Sequence, residues 1–199
     1  MAVVNRPMQG GGADAYGVKR CDDGTWLITV VDGLGHGARG AEAAHTYLRL
    51  FRECSCDSLS ALMSAIHLGM RATVGAACMI VQVIPDRQQL LYAGIGNVSL
   101  ALISSSGFRR AQSARGIVGY RQVRIREDVL AWTPGDRLML HTDGIALPPE
   151  GAESLRYGDP IVSAKETAAA YATGKDDALV LVCTLEHLEA VRIEEEQHA

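Results

Sequence analysis

Aromatic residues are scarce in this chain: two Phe, two Trp and six Tyr make up 5% of its 199 residues. Its core must therefore rest on Val, Ile, Leu, Ala and Met. Positive charge is also short, with 19 Lys and Arg against 23 Asp and Glu and a formal net charge of −4. That balance removes the electrostatic ground for a nucleic-acid partner, which demands a basic face against its phosphates. The one small basic cluster, Arg121 to Arg126, alternates with Val123 and Ile125 and reads as a solvated strand face. No apolar run approaches the roughly 18 residues that span a bilayer. The N-terminus also lacks the charged region and apolar core of a secretory signal. A cytoplasmic protein with no membrane partner is expected. The five cysteines have no zinc-site spacing: Cys54 and Cys56 form a lone C-x-C, and Cys21, Cys78 and Cys183 lie in apolar runs as small buried hydrophobes. A G-x-S-x-G elbow is missing too, so no protein nucleophile presents itself.

What is present is a succession of short apolar runs separated by turn signals. Strands are expected over Tyr16–Cys21 and Thr25–Val31, joined at Asp22-Asp23-Gly24. Ala41, Ala44, Leu48 and Phe51 share one helical face in 38–51, and Leu59, Leu62, Ile66 and Met70 share another in 58–71, with Ser58 as N-cap. Strand character returns in 74–84, 89–94, 98–104, 122–132 and 137–142. A short helix over 164–172 and a buried strand over 178–185 follow. Short turns between strands imply antiparallel pairing, and regular βαβ alternation is missing. The expected fold class is α+β, with antiparallel sheets and helices packed on their outer faces. At this length one domain, 1–199, is expected.

Acidic residues recur at the ends of the apolar strands. Asp32-Gly33 follows Leu27–Val31, Asp143-Gly144 follows Leu138–Leu140, Asp176-Asp177 precedes Ala178–Leu185, and Asp14 precedes the first hairpin. Carboxylates brought together repel unless a cation lies among them, and an all-oxygen donor set selects Mg²⁺, Mn²⁺ or Ca²⁺. Paired ions activate a water and clamp a phosphoryl group without any protein nucleophile. A rival reading lies in Gly35, Gly37 and Gly40, which spell G-x-G-x-x-G between strand and helix. Asp32 would there place a carboxylate where a pyrophosphate must sit, and the expected second parallel strand is replaced by the helical segment from Ser58. His36, His45, His67 and His141 lack zinc spacing, and His45 and His67 fall on helices in surface or packing positions.

Asp14-Ala15-Tyr16, Asp32-Gly33-Leu34-Gly35-His36-Gly37, Ala93-Gly94-Ile95-Gly96-Asn97, Thr142-Asp143-Gly144 and Asp176-Asp177 occur in this order across nearly the whole chain. The set resembles the PPM-type metal-dependent protein phosphatases, in their SpoIIE-like branch, and within it the phosphatases of the stressosome. That resemblance implies a four-layer α-β-β-α sandwich of two antiparallel sheets. It also implies two Mn²⁺ or Mg²⁺ ions, and hydrolysis of phosphoserine or phosphothreonine on stress-signalling scaffold and switch proteins. Carried over by position, Asp32 bridges both ions, Gly33 donates its carbonyl, Asp143 and Asp176 hold the first ion, and Asp14 serves the second directly or through water. Asp177 stands next to the ligands rather than among them. Larger members carry a glutamate before the position of Asp14, where this chain has Ala13. They also use an N-terminal arginine for phosphate, for which Arg6 is the candidate here. Their acid histidine follows the Asp-Gly pair directly. This chain has Leu34 there, and His36 is the nearest candidate for that role. The alternative is a catalytically weak phosphoprotein-binding module of the same fold.

Overall fold

The structure is a computed structural model that describes residues 1–8, 12–35, 37–55, 58–111, 113–146, 155–188 and 192–195. Its strands are β1 (Ala2–Arg6), β2 (Asp14–Arg20), β3 (Trp26–Gly33), β4 (Ala76–Ile84), β5 (Gln89–Ile95), β6 (Ser99–Ser104), β7 (Gly107–Ala111), β8 (Asp128–Ala131), β9 (Arg137–His141), β10 (Ala178–Thr184) and β11 (Arg192–Glu195). Its helices are α1 (Ala38–Glu53), α2 (Leu59–Gly69) and α3 (Pro160–Tyr171). One sheet runs β11-β1-β10-β9-β6-β7 and the other β2-β3-β4-β5-β8. Every pairing is antiparallel except β1 with β11 at the sheet edge.

The period-2 alternation of β3 sorts its side chains between two cores. Ile28 and Val30 enter the core between the sheets, beside Met79 and Val81 of β4 and Leu140 and Leu181 opposite. Leu27 and Val31 face the other way, against Tyr47 and Phe51 of α1 and Met63 and Ile66 of α2. A third core packs Ala164 and Ala168 of α3 on Met139 and Val180. Three apolar layers between four layers of structure make the expected α-β-β-α sandwich. Thr29 is the one polar interruption of β3 before Asp32. Its hydroxyl donates to the Met79 carbonyl at 2.9 Å and meets the Tyr47 hydroxyl at 2.7 Å, so nothing polar is stranded there.

Local signals account for most element ends. The hairpin between β2 and β3 closes at Asp22-Asp23-Gly24, where Asp23 accepts from the Thr25 backbone N–H and Gly24 takes φ +82°. Ser58 caps α2 by accepting from the Ala61 N–H. The strand expected over 122–132 is shorter: only Asp128–Ala131 pairs, with β5, while residues 122–127 leave the sheet. β1 and β7 were not anticipated. Cys78 and Cys183 carry buried free thiols as expected and Cys54 a half-buried one, but Cys21 is disulfide-bonded, which corrects its reading as a buried thiol. Among the described residues no helix is long and apolar enough to cross a membrane.

Candidate metal centre

The site forms where strand ends of both sheets meet. In the second sheet, antiparallel register sets Asp14 of β2 directly opposite Asp32 of β3, and Asp32 opposite Ala77 of β4. Both aspartates share the parity of Tyr16, Val18, Ile28 and Val30, so they cap the core between the sheets. In the first sheet β9 ends at His141 and β10 begins at Ala178, which brings the Thr142-Asp143-Gly144 turn beside Asp176-Asp177. Asp32, Asp143, Asp176 and Asp177 line one cavity of about 460 Å³, with the Gly33-Leu34-Gly35 turn on its wall.

Close backbone approach explains two of the glycines. A Cβ on Gly33 would lie 2.1 Å from the Gly40 carbonyl oxygen, where the start of α1 presses on the end of β3. One on Gly144 would lie 1.8 Å from the Asp177 carbonyl oxygen. The turns that carry Asp32 and Asp143 can thus pack tightly only with glycine behind each aspartate.

The four aspartates have different surroundings. Asp14 is 5% exposed, and its Oδ2 accepts from the Thr142 hydroxyl at 2.6 Å across the two sheets. Burial pushes its carboxyl up to about 8; the Thr142 bond opposes this, and the charges of Asp32, Asp177 and Asp143 add to it. Asp143 is exposed, and its Oδ2 accepts from the Asn97 amide at 2.6 Å. Asp176 accepts from the Asp177 N–H at 2.9 Å. Asp177 is committed to structure: its two oxygens take the backbone N–H groups of Met8, at 2.5 Å, and Ala13, at 2.7 Å. It ties down the segment ahead of β2, and the Ala13 carbonyl in turn accepts from Gly33 N at 3.0 Å. Ala13 is therefore a backbone joint between Asp177 and Gly33, and no acid stands there.

The donor set suits a hard cation in kind: carboxylates and a turn carbonyl, all oxygen. Among the described residues, no three His, Cys, Asp or Glu side chains close around one point. Asp14 is not on the cavity lining and lies buried beside Asp32.

The remaining candidates separate cleanly. His36 lies outside the described residues. His45 is exposed on α1, and His67 is buried on α2, where its Nδ1 accepts from Gly119 N at 3.1 Å. His141 is buried, and its Nδ1 donates to the Thr142 carbonyl at 2.9 Å. Desolvation holds it below the ordinary histidine value and so neutral. Arg6 turns away from the cavity and donates to the Ala168 carbonyl of α3 at 2.8 Å, which corrects its reading as a phosphate ligand. Sequence reasoning missed Asn97, although its motif had been noticed, and Arg115, which also lines the cavity. The dinucleotide reading fails on topology, because β3 is flanked by antiparallel β2 and β4.

Comparison with known proteins agrees with this arrangement. The sequence profile of the family described as "Stage II sporulation protein E (SpoIIE)" matches residues 22–185. No curated protein sequence matches the chain. Among solved structures, one from a study of the bacterial stressosome superposes with a TM-score of 0.81 at 25% identity, covering 91% of this chain and 96% of that one. RsbX in complex with magnesium gives 0.78 at 23% identity, covering 90% and 92%. The PPM Ser-Thr phosphatase MsPP from Mycobacterium smegmatis, in complex with cacodylate, gives 0.68 at 20%, covering 90% and 95%. With the profile match spanning most of its length, this chain belongs to the SpoIIE family of PPM-type protein phosphatases.

Proposed function

We propose that this chain is a single-domain phosphatase that hydrolyses phosphoserine and phosphothreonine on proteins, with Mn²⁺ or Mg²⁺ held at the meeting of the two sheets. The observation that carries this reading is the convergence of Asp32 from one sheet with Asp143 and Asp176 from the other on one cavity. Asp32, Asp143 and Asp176 would hold the first ion. Asp32, the Gly33 carbonyl and Asp14, directly or through water, would serve a second. Bound there, such ions supply an activated water and offset charge on the phosphoryl oxygens. Asn97 holds one oxygen of Asp143, which leaves the other for a ligand. His36, three residues after Gly33 in sequence, would give a proton to the departing serine or threonine oxygen as the new P–O bond forms and the old one breaks.

Likeness in fold to RsbX and to the stressosome structure supports phosphorylated stressosome-type scaffold and switch proteins as substrates, and a cytoplasmic location. Among the described residues three free thiols agree with a reducing compartment, while the Cys21 disulfide counts against it.

The test is hydrolysis of p-nitrophenyl phosphate and of a phosphoprotein by the purified chain with Mn²⁺, with Asp32→Asn alongside. Loss of turnover in the variant, about a hundredfold or more, is expected of a group that acts on the reacting atoms. Unchanged activity overturns the assignment. Phosphoprotein binding without turnover in the unaltered protein would instead favour the binding-module reading.

A further inference from the structure

Among the described residues, the cavity that holds the carboxylates has one cationic side chain on its lining, Arg115, and it belongs to none of the strands or helices. It sits on a strap, residues 113–119, laid across the ends of β4 and β5. At the near end Ala114 exchanges hydrogen bonds with Gly94 and Gly96, its N–H donating to Gly94 O at 2.8 Å and its carbonyl accepting from Gly96 N at 2.9 Å. The Ser113 hydroxyl adds a bond to the Val98 carbonyl at 3.0 Å. Beyond the arginine, Val118 and Ala76 bond each other in both directions at 2.8 and 3.1 Å, and Gly119 N donates to His67. Packing fixes the middle as well: Gly116 has φ +146°, and a Cβ there would lie 2.9 Å from Val123 Cγ1. Backbone pairing on both sides of Arg115 therefore sets where its side chain starts.

Arg115 is exposed, and among the described residues it makes no hydrogen bond or ion pair. That is unusual for a guanidinium sharing a cavity with Asp32, Asp143, Asp176 and Asp177, since opposite charges in reach of one another pair readily. The strap thus leaves it on the lining of the cavity without pairing it to any of these carboxylates. A dianion between the two walls would satisfy the fork of five N–H donors on one side, with the carboxylate side left for cations. Arg6 cannot serve, because it is turned to α3.

We propose that Arg115 is the substrate-positioning residue of this site, binding the phosphoryl oxygens of the phosphoserine or phosphothreonine substrate. The inference rests on the phosphatase reading above and names the group that receives the phosphate.

The test compares the unaltered chain with Arg115→Ala and Arg115→Lys, each with Mn²⁺, and reads three quantities. Removing a charge-assisted bidentate contact is expected to raise KM for p-nitrophenyl phosphate, and the inhibition constant of inorganic phosphate, by about tenfold to a hundredfold. Lysine, a point charge, should restore part of this. The Mn²⁺ affinity read by calorimetry should stay within about twofold, and the thermal midpoint should move by no more than about 2–4 °C. Unchanged KM and phosphate inhibition overturn the proposal, as does a loss confined to Mn²⁺ affinity. Calorimetric binding of inorganic phosphate separates the two readings. Phosphate bound by a chain that turns nothing over, and lost in Arg115→Ala, keeps this assignment and removes the catalytic one. Turnover with normal phosphate binding in Arg115→Ala does the reverse.

Discussion

Thr142 and Asp14, 128 residues apart in the chain, are joined by a 2.6 Å hydrogen bond that crosses from one sheet to the other. Thr142 is the donor in that bond, and the same oxygen accepts from Leu179 N at 3.0 Å. One hydroxyl thus holds both a strand of its own sheet and a carboxylate of the other, in a place where neither has water to fall back on. Thr142→Val keeps the shape and removes both bonds. Leaving a buried acceptor and a buried N–H unsatisfied costs about 1–3 kcal/mol each. Urea denaturation should show a loss of about 2–6 kcal/mol on that basis, and a variant as stable as the parent would contradict the role given to Thr142.

The metal-free protein should lose stability as pH rises. The native Asp14 carboxyl titrates near 8, against an ordinary value of 3.8. Between those values the native state keeps a proton that the unfolded chain has released, so this group's contribution falls as pH rises through the window. Thermal midpoints measured in chelator across that range should decline. Asp14→Asn, which cannot ionise, should flatten the decline; identical slopes in the two proteins would rule Asp14 out as its source.

Gly144→Ala should be severely disruptive. The added carbon would meet the Asp177 carbonyl oxygen at 1.8 Å, and that oxygen belongs to the backbone leading into β10. Overpacking of this kind typically costs about 1–3 kcal/mol and sometimes more. Loss of phosphatase activity should accompany it, since the turn carries Asp143. Parent-like stability would mean the two turns are not in contact.

Burial pushes the Cys78 and Cys183 thiols up to about 12, whereas Cys54 is half-buried. Only thiolates alkylate readily. Peptide mapping after iodoacetamide should find Cys54 modified in the native protein and Cys78 and Cys183 only after unfolding. Native labelling of either buried thiol would show that its core opens.

The parts of this protein legible in its sequence are those with a local signature. Asp32-Gly33 and Asp143-Gly144 stood out because each closes an apolar strand, and the helix stripes of α1 and α2 repeat on one face. α3 begins at Pro160, earlier than its apolar pattern suggests. The Asp159-Pro160 start, with Asp159 accepting from Ile161 N, was a readable cap. Arg124 and Arg126 alternate like strand residues, yet the sheet takes only the four residues beyond them, because pairing with β5 rather than alternation decides where an edge strand begins. Asp177 and Arg115 show the limit most plainly. Nothing beside Asp177 in sequence reveals that its oxygens hold Met8 and Ala13, and nothing around Arg115 reveals that its flanks pair with Gly94 and Ala76.

The bond from Ala13 to Asp177 spans 164 residues. A chain emerging from the ribosome N-terminus first can form the β2–β3 hairpin early, but Asp14 then faces Asp32 with neither Thr142 nor β10 yet made. Two carboxylates paired across a hairpin without their partners are a repulsive contact, so the hairpin carrying half the site is the worse formed for it. Completion waits for residue 177, and contacts of such long range are slow to close. Until residue 177 exists, the hairpin presents Asp14 and Asp32 to each other without the strands that bring Asp143 and Asp176 beside them.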